Sequence, residues 1–217
     1  MGFDFTDQLI GICEIIGIIA FAISGAMAAI EKELDIFGVI VLGVTTALGG
    51  GIIRDLILAI NPPAMFINGN YTALAAAFSL LVFICFYYNY DYMQKHMDFF
   101  DHALNIFDAV GLGVFVILGI NTAMFAGYVD NNFLLLFIGS ITGVGGGMLR
   151  DIMIRNVPFV LRKRIYALAA IIGGSLYLIL LKNGVNSDIS VVVGIVSVIV
   201  IRLLSRKYKW ALPKVNK

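Results

Sequence analysis

Seven apolar segments, each close to the length that crosses a bilayer, set what this chain can fold into. They lie at 8–30, 37–59, 71–89, 104–126, 132–154, 165–182 and 189–205. A helix needs about 20 apolar residues to span the hydrocarbon core. Lipid offers no partner to a free backbone N–H or C=O, so segments of this length fold as helices. The chain is 60% hydrophobic and 13% charged, with mean hydropathy +0.96, whereas a soluble domain carries about 25% charged residues. The expected fold class is an all-α membrane protein of seven transmembrane helices, in one membrane domain over residues 1–217. Connections are short, with Asn61-Pro62-Pro63 and Pro158 as breakers, and no linker suggests a second domain.

Several function classes fall away on composition. The net charge is +1 and no basic cluster is interleaved with exposed aromatics, so no nucleic-acid partner is expected. Cys13 and Cys85 sit inside apolar runs and read as small core residues, not as a disulfide or metal pair. No metal cluster, phosphate loop or nucleophile–base pair stands out, so neither an enzyme nor a cofactor is expected. The acidic start, MGFDFTD, is unlike the basic start of a signal peptide. His96 and His102 fall in a loop expected over 90–103.

Orientation follows from the Lys and Arg placement. With the N-terminus outside, the inside holds Lys32, Lys95, Arg155, Arg162, Lys163, Arg164, Arg202, Arg206, Lys207, Lys209, Lys214 and Lys217, and the outside holds Lys182 alone. Arg54 and Arg150 remain within the membrane. This predicts an external N-terminus and a cytoplasmic C-terminus, which requires an odd number of spans. The tail from Arg206 and the run Arg162-Lys163-Arg164 form a basic collar that either attracts anionic lipid or serves topology alone.

The chain repeats itself. "GGGIIRD" at 49–55 returns as "GGGMLRD" at 145–151, and "ICEIIGIIAFAISG" (12–25) aligns without gaps on "IFDAVGLGVFVILG" (106–119). That alignment pairs Glu14 with Asp108, Gly17 with Gly111, Phe21 with Phe115 and Gly25 with Gly119. "ALAA" recurs at 73–76 and 167–170. Helices 1–3 (8–89) and 4–6 (104–182) thus read as two copies, with helix 7 (189–205) an addition. Three spans per copy put the second copy into the membrane upside down, an inverted 3+3 repeat.

Inverted repeats place sites near the midplane, on interrupted helices. Gly49, Gly50 and Gly51, like Gly145, Gly146 and Gly147, fall near the centres of their segments. Each glycine costs roughly 1 kcal/mol against alanine in a helix. Helices 2 and 5 are therefore expected to break there, freeing carbonyls for a transient monovalent cation and amides for an anion. The alternative is close helix packing at small residues.

Arg54 and Arg150 follow one turn later. A charge at a helix centre costs roughly 2.5–3.5 kcal/mol on insertion scales. The arginines either brace the fold by pairing across the repeats or shape the field of a permeation path. Asp55 and Asp151 are expected to point elsewhere and hold neighbouring helices, because adjacent helical residues do not face each other. Glu14 and Asp108 would lie on opposite approaches to the centre, suited to a cation or an ammonium group, or would act as helix-end carboxylates. Ser24, Thr45, Thr46, Asn121, Thr122 and Thr142 complete the polar residues inside spans, each either a pore residue such as Ser24 or a packing hydrogen bond.

On the two GGGxxRD motifs, with "FAISGAMAA" (21–29) and "DAVGLGVF" (108–115), the chain resembles prokaryotic members of the trimeric intracellular cation (TRIC) channel family, a group also described as a glycine transporter domain family of bacterial inner-membrane proteins. The resemblance covers roughly residues 5–205. It implies seven helices with helices 2 and 5 hinged at the glycines, an inner-membrane homotrimer, and a pore within each protomer. The additional lysine motif of animal members has no obvious counterpart here. Two functions remain open: a channel for monovalent cations, K⁺ foremost, and a secondary transporter of glycine or another small zwitterion.

Overall fold

The computed structural model describes residues 5–89, 97–162 and 165–210. Lys95, His96, Lys163, Arg164, Lys214 and Lys217 lie outside the described residues. Among the described residues the long helices are α1 (Phe5–Glu31), α2 (Ile36–Ile57), α4 (Gly69–Tyr88), α5 (Met97–Phe125), α6 (Asn132–Met153), α8 (Tyr166–Lys182) and α9 (Ser187–Lys207), with single-turn helices α3 (Ala64–Ile67) and α7 (Phe159–Arg162). Six of these are long and apolar enough to cross a membrane, and α8 is a shorter apolar helix of 17 residues. The predicted segments match them to within a few residues, except that α5 begins at Met97 and absorbs His102, so this histidine is helical and not in a loop.

Short polar side chains start the helices. Asp35 Oδ1 accepts from Gly38 N–H at 2.7 Å at the start of α2, and Asn131 Oδ1 accepts from Leu134 N–H at 3.0 Å at the start of α6. These caps satisfy amides that have no partner within the helix. The ends of α2 and α6 also match. Ile60 N–H donates to Asp55 O and Asn156 N–H to Asp151 O, both at 2.8 Å. Ala59 and Arg155 each adopt φ of 56°. This is the Schellman turn, normally closed by glycine.

The centre is built from α1, α2, α5 and α6. The Phe21 and Phe115 rings stack with centroids 5.3 Å apart and 12° between their planes. A Cβ on Gly17 would come within 2.7 Å of Val114 Cγ1, and one on Gly111 would enter the Phe21 ring. Thr46 and Thr142 lie against Gly25 and Gly119 respectively, and each hydroxyl donates at 2.6 Å to a carbonyl four residues back, Leu42 O and Ile138 O. Then α9 packs on this core, with Gly113 against the Ile195 carbonyl.

The expected breaks are not present: α2 and α6 run as continuous helices through Gly49–Gly51 and Gly145–Gly147. The glycines serve proximity instead. A Cβ on Gly50 would collide with the Thr142 carbonyl oxygen, and a Cβ on Gly146 with the Thr46 carbonyl oxygen. The two backbones touch where the helices cross. An unbroken ladder keeps every backbone group paired in lipid, and close approach through small residues recovers in packing what the glycines lose in propensity.

Candidate functional site

Two charge clusters flank this crossing, each built on one GGGxxRD motif. Arg54 and Arg150 occupy the last turns of α2 and α6, about 11 Å past the helix midpoints by the rise per residue. A cation is favoured there by the helix dipole. Each arginine pairs with its own neighbour in sequence. Arg54 Nε donates to Asp55 Oδ1 at 2.8 Å, and Arg150 Nε to Asp151 Oδ1 at 2.9 Å. The second oxygen of each aspartate accepts from the turn beyond, Ala64 N–H for Asp55 at 2.9 Å and Phe159 N–H for Asp151 at 2.8 Å.

This corrects two expectations. Asp55 and Asp151 do not point away from the arginines beside them, though each does hold the short helix that follows, and the arginines do not exchange aspartates across the two copies. A guanidinium on a long stem in a final turn can swing back along the chain to the adjacent carboxylate. That carboxylate in turn fixes the one-turn helix that follows Pro63 or Pro158.

Beyond this shared frame the clusters differ. In the second, Asp108 is 0% exposed and holds two arginines: Arg150 Nη1 at 2.9 Å from Oδ1, and Arg202 Nη2 at 3.3 Å from Oδ2. Arg150, 1% exposed, also donates to Ser24 Oγ at 2.7 Å, which ties α6 to α1. The Phe159 ring lies 4.9 Å from the Arg150 guanidinium carbon, and the Tyr166 ring 4.3 Å from that of Arg202. Gly147 leaves room for the Tyr166 hydroxyl and Asp108 Oδ1, which would lie 3.1 and 3.5 Å from a Cβ there.

In the first cluster, Glu14 makes no ion pair among the described residues. Its Oε2 accepts from Tyr71 Oη at 2.9 Å. Between Glu14, Gly51, Arg54 and Tyr71 lies a cavity of about 30 Å³, room for about one water. A Cβ on Gly51 would meet nothing nearer than Arg54 Nη2 at 3.7 Å, so this glycine borders open space.

The structure places Glu14, Ser24, Asp108 and the motif residues in two groups and a contact between them, whereas Asn121 and Thr122 make packing hydrogen bonds with Tyr177 and the Leu118 carbonyl. Glu14, Gly51, Arg54 and Asp55 form one, and Ser24, Asp108, Gly147, Arg150 and Asp151 the other. Gly49, Gly50, Gly145 and Gly146 form the contact between them. Sequence reasoning misses Tyr71, Tyr166 and Arg202. Charge placement counts Arg202 among the basic residues on the inside, yet it is 5% exposed inside α9. A signal does exist: it lies within a predicted span, the property that draws attention to Arg54 and Arg150.

The profile of the family described as glycine transporter matches this chain twice, over residues 11–88 and 105–182. The chain belongs to that family. Similar proteins include the UPF0126 inner membrane protein YadS of Escherichia coli, 36% identical over 201 residues that cover 92% of this chain and 93% of that one. A UPF0126 membrane protein of Vibrio cholerae is 34% identical over 95% of this chain and 82% of its own length.

Among solved structures, a prokaryotic TRIC channel in 0.5 M KCl superposes with TM-score 0.83 at 38% identity, covering 94% of this chain and 99% of that one. The TRIC orthologue of Rhodobacter sphaeroides gives the same TM-score at 27% identity, over 94% and 100%. The fold of this UPF0126 relative is therefore that of the TRIC channels. With six helices of spanning length and inner-membrane relatives, it is a multi-pass membrane protein.

Proposed function

We propose that this protein is a homotrimeric channel passing monovalent cations, K⁺ foremost, along a path within each protomer. The observation that carries this reading is the small cavity beside Glu14. Arg54 is already paired with Asp55, so the first cluster holds one cation and two carboxylates and has a formal charge of −1. A unit charge about 4 Å from a cation is worth about 4 kcal/mol at an effective dielectric of 20, enough to draw a partly dehydrated K⁺ to Glu14. Similarity to proteins described as TRIC cation channels supports the same reading.

The path would run from Glu14 along α1, α2, α5 and α6 through the α2–α6 crossing toward Asp108. The carbonyls of Thr46 and Thr142 face that crossing and supply the oxygen ligands a monovalent cation needs in place of water. The backbones touch there, so passage requires the crossing to part. Small residues on both faces leave few side chains to unlock.

In this reading α8 also spans, since 17 residues is at the lower limit for a crossing. The seven helices form an inverted 3+3 repeat with α9 added, the N-terminus faces outward and the C-terminus the cytoplasm, and anionic lipid meets the basic ends. The two profile matches and the matched contacts of α2 and α6 support the repeat. The test is purified protein in planar bilayers. Unitary K⁺ currents are expected; saturable glycine uptake in vesicles without such currents would contradict the channel and favour a carrier.

A further inference from the structure

The two clusters share a frame but not a charge. The first has Arg54, Asp55 and Glu14. The second has Arg150, Asp151 and Asp108, plus Arg202 from α9, a helix outside both profile matches. Its formal charge is zero. Farther along α9, Arg206 Nη1 donates to the Asp101 carbonyl at 2.9 Å.

We propose that Arg202 is a tethered cation: its guanidinium takes, at Asp108, the place that a permeating monovalent cation takes at Glu14. This rests on the channel reading and assigns its regulation. The aligned carboxylates differ in their surroundings as the proposal requires. Glu14 has a hydroxyl partner and a water-sized space. Asp108 has both oxygens occupied by guanidinium nitrogens and is fully enclosed.

Arg202 is also the more weakly held of the two arginines on Asp108. Its contact is 3.3 Å against 2.9 Å for Arg150, and among the described residues it pairs with one carboxylate where Arg150 pairs with two. A buried guanidinium with fewer charged partners is the less fully compensated of the two. Arg150, fixed also by Ser24 and Asp151, stays as framework. Arg202 can withdraw along the Tyr166 ring, 4.3 Å from its guanidinium carbon, toward the end of α9 at Lys207. Withdrawal leaves the second cluster at −1, the state of the first. The two ends of the path are then inequivalent at rest, one open to ions and one occupied by the protein's own cation.

The test places Tl⁺, a heavy K⁺ substitute, in crystals of the full chain and locates it by anomalous scattering. In the wild type, Tl⁺ is expected at Glu14 and not at Asp108, a result that needs no variant to fold. In Arg202→Gln, Tl⁺ is expected at both carboxylates, and K⁺ efflux from vesicles is expected to rise severalfold. Arg202→Lys keeps the charge and is expected to keep the wild-type pattern. Tl⁺ at Asp108 beside an engaged Arg202 in the wild type would overturn the proposal. So would a folded Arg202→Gln protein with Tl⁺ at Glu14 alone and unchanged efflux; in both cases the channel reading stands. Absence of Tl⁺ from both carboxylates in both proteins, with no K⁺ efflux, removes the channel reading and this proposal with it.

Discussion

Phe21 of α1 and Phe115 of α5, partners in the sequence alignment of the two copies, stack directly on each other at the centre of the molecule, 5.3 Å between ring centroids. Each ring rests where a glycine of the other copy leaves space, Phe115 at Gly17 and Phe21 at Gly111. The contact therefore reads the same from either copy. Gly111→Ala is expected to destabilise the protein by about 1–3 kcal/mol, the range for overpacking a filled core. A thermal-shift or denaturant measurement in mild detergent checks this. In a Phe21→Ala background the same Gly111→Ala change should cost less, because the ring that the new methyl meets is gone.

The crossing of α2 and α6 gives a sharper contrast among the motif glycines. Gly50→Ala and Gly146→Ala set a methyl against a backbone carbonyl oxygen that no rotamer can move aside. Gly51→Ala meets nothing within van der Waals distance except the Arg54 guanidinium. Gly50→Ala and Gly146→Ala should each lower the melting temperature and suppress K⁺ flux, while Gly51→Ala should keep or raise it, since alanine is the better helix former. Equal tolerance at all three positions would contradict the close crossing.

The arginines should separate in the same way. Arg150→Gln leaves Asp108 and Asp151 short of a cation in a site closed to water, a loss of about 3–5 kcal/mol. Arg54 has one carboxylate partner and borders a cavity, so Arg54→Gln should cost less stability. It also makes the first cluster more negative, and its K⁺ conductance should change in a protein that still folds. Unfolding midpoints and conductance on the same preparations check both. A folded double variant with normal flux and selectivity would leave these arginines no part in permeation.

Ala59 and Arg155 end α2 and α6 with left-handed backbone, which costs a residue with a side chain about 1 kcal/mol or more relative to glycine. Both side chains are exposed. Ala59→Gly and Arg155→Gly should each stabilise by up to about 1 kcal/mol, measured by thermal shift, with the glycine's greater freedom in the unfolded chain offsetting part of the gain.

Much of this architecture is legible in the sequence. Hydropathy places the long helices, because lipid leaves an apolar segment of about 20 residues few alternatives. The internal repeat alone pairs Glu14 with Asp108 and Phe21 with Phe115. The motif glycines are harder to read, because a low helix propensity and a need for close approach look identical in one dimension. At Gly50 and Gly146 the partner that decides between them is a carbonyl in the other copy of the repeat. Asp55 and Asp151 defy the rule that adjacent residues face apart, which holds for a helix interior, because these pairs sit in a final turn. Arg202 escapes notice because charge placement counts it as a topology signal, while its partner Asp108 lies 94 residues earlier.

The most direct measurement is the unitary K⁺ conductance of purified wild-type protein beside Glu14→Gln. The substitution keeps the size and the Tyr71 contact while removing the charge that gives the first cluster its net −1. Cation currents are predicted in the wild type, with conductance at least about tenfold lower in the folded variant, equivalent to about 1.4 kcal/mol at the site. Equal conductance in the two proteins, or glycine uptake without any K⁺ current in either, would contradict the account.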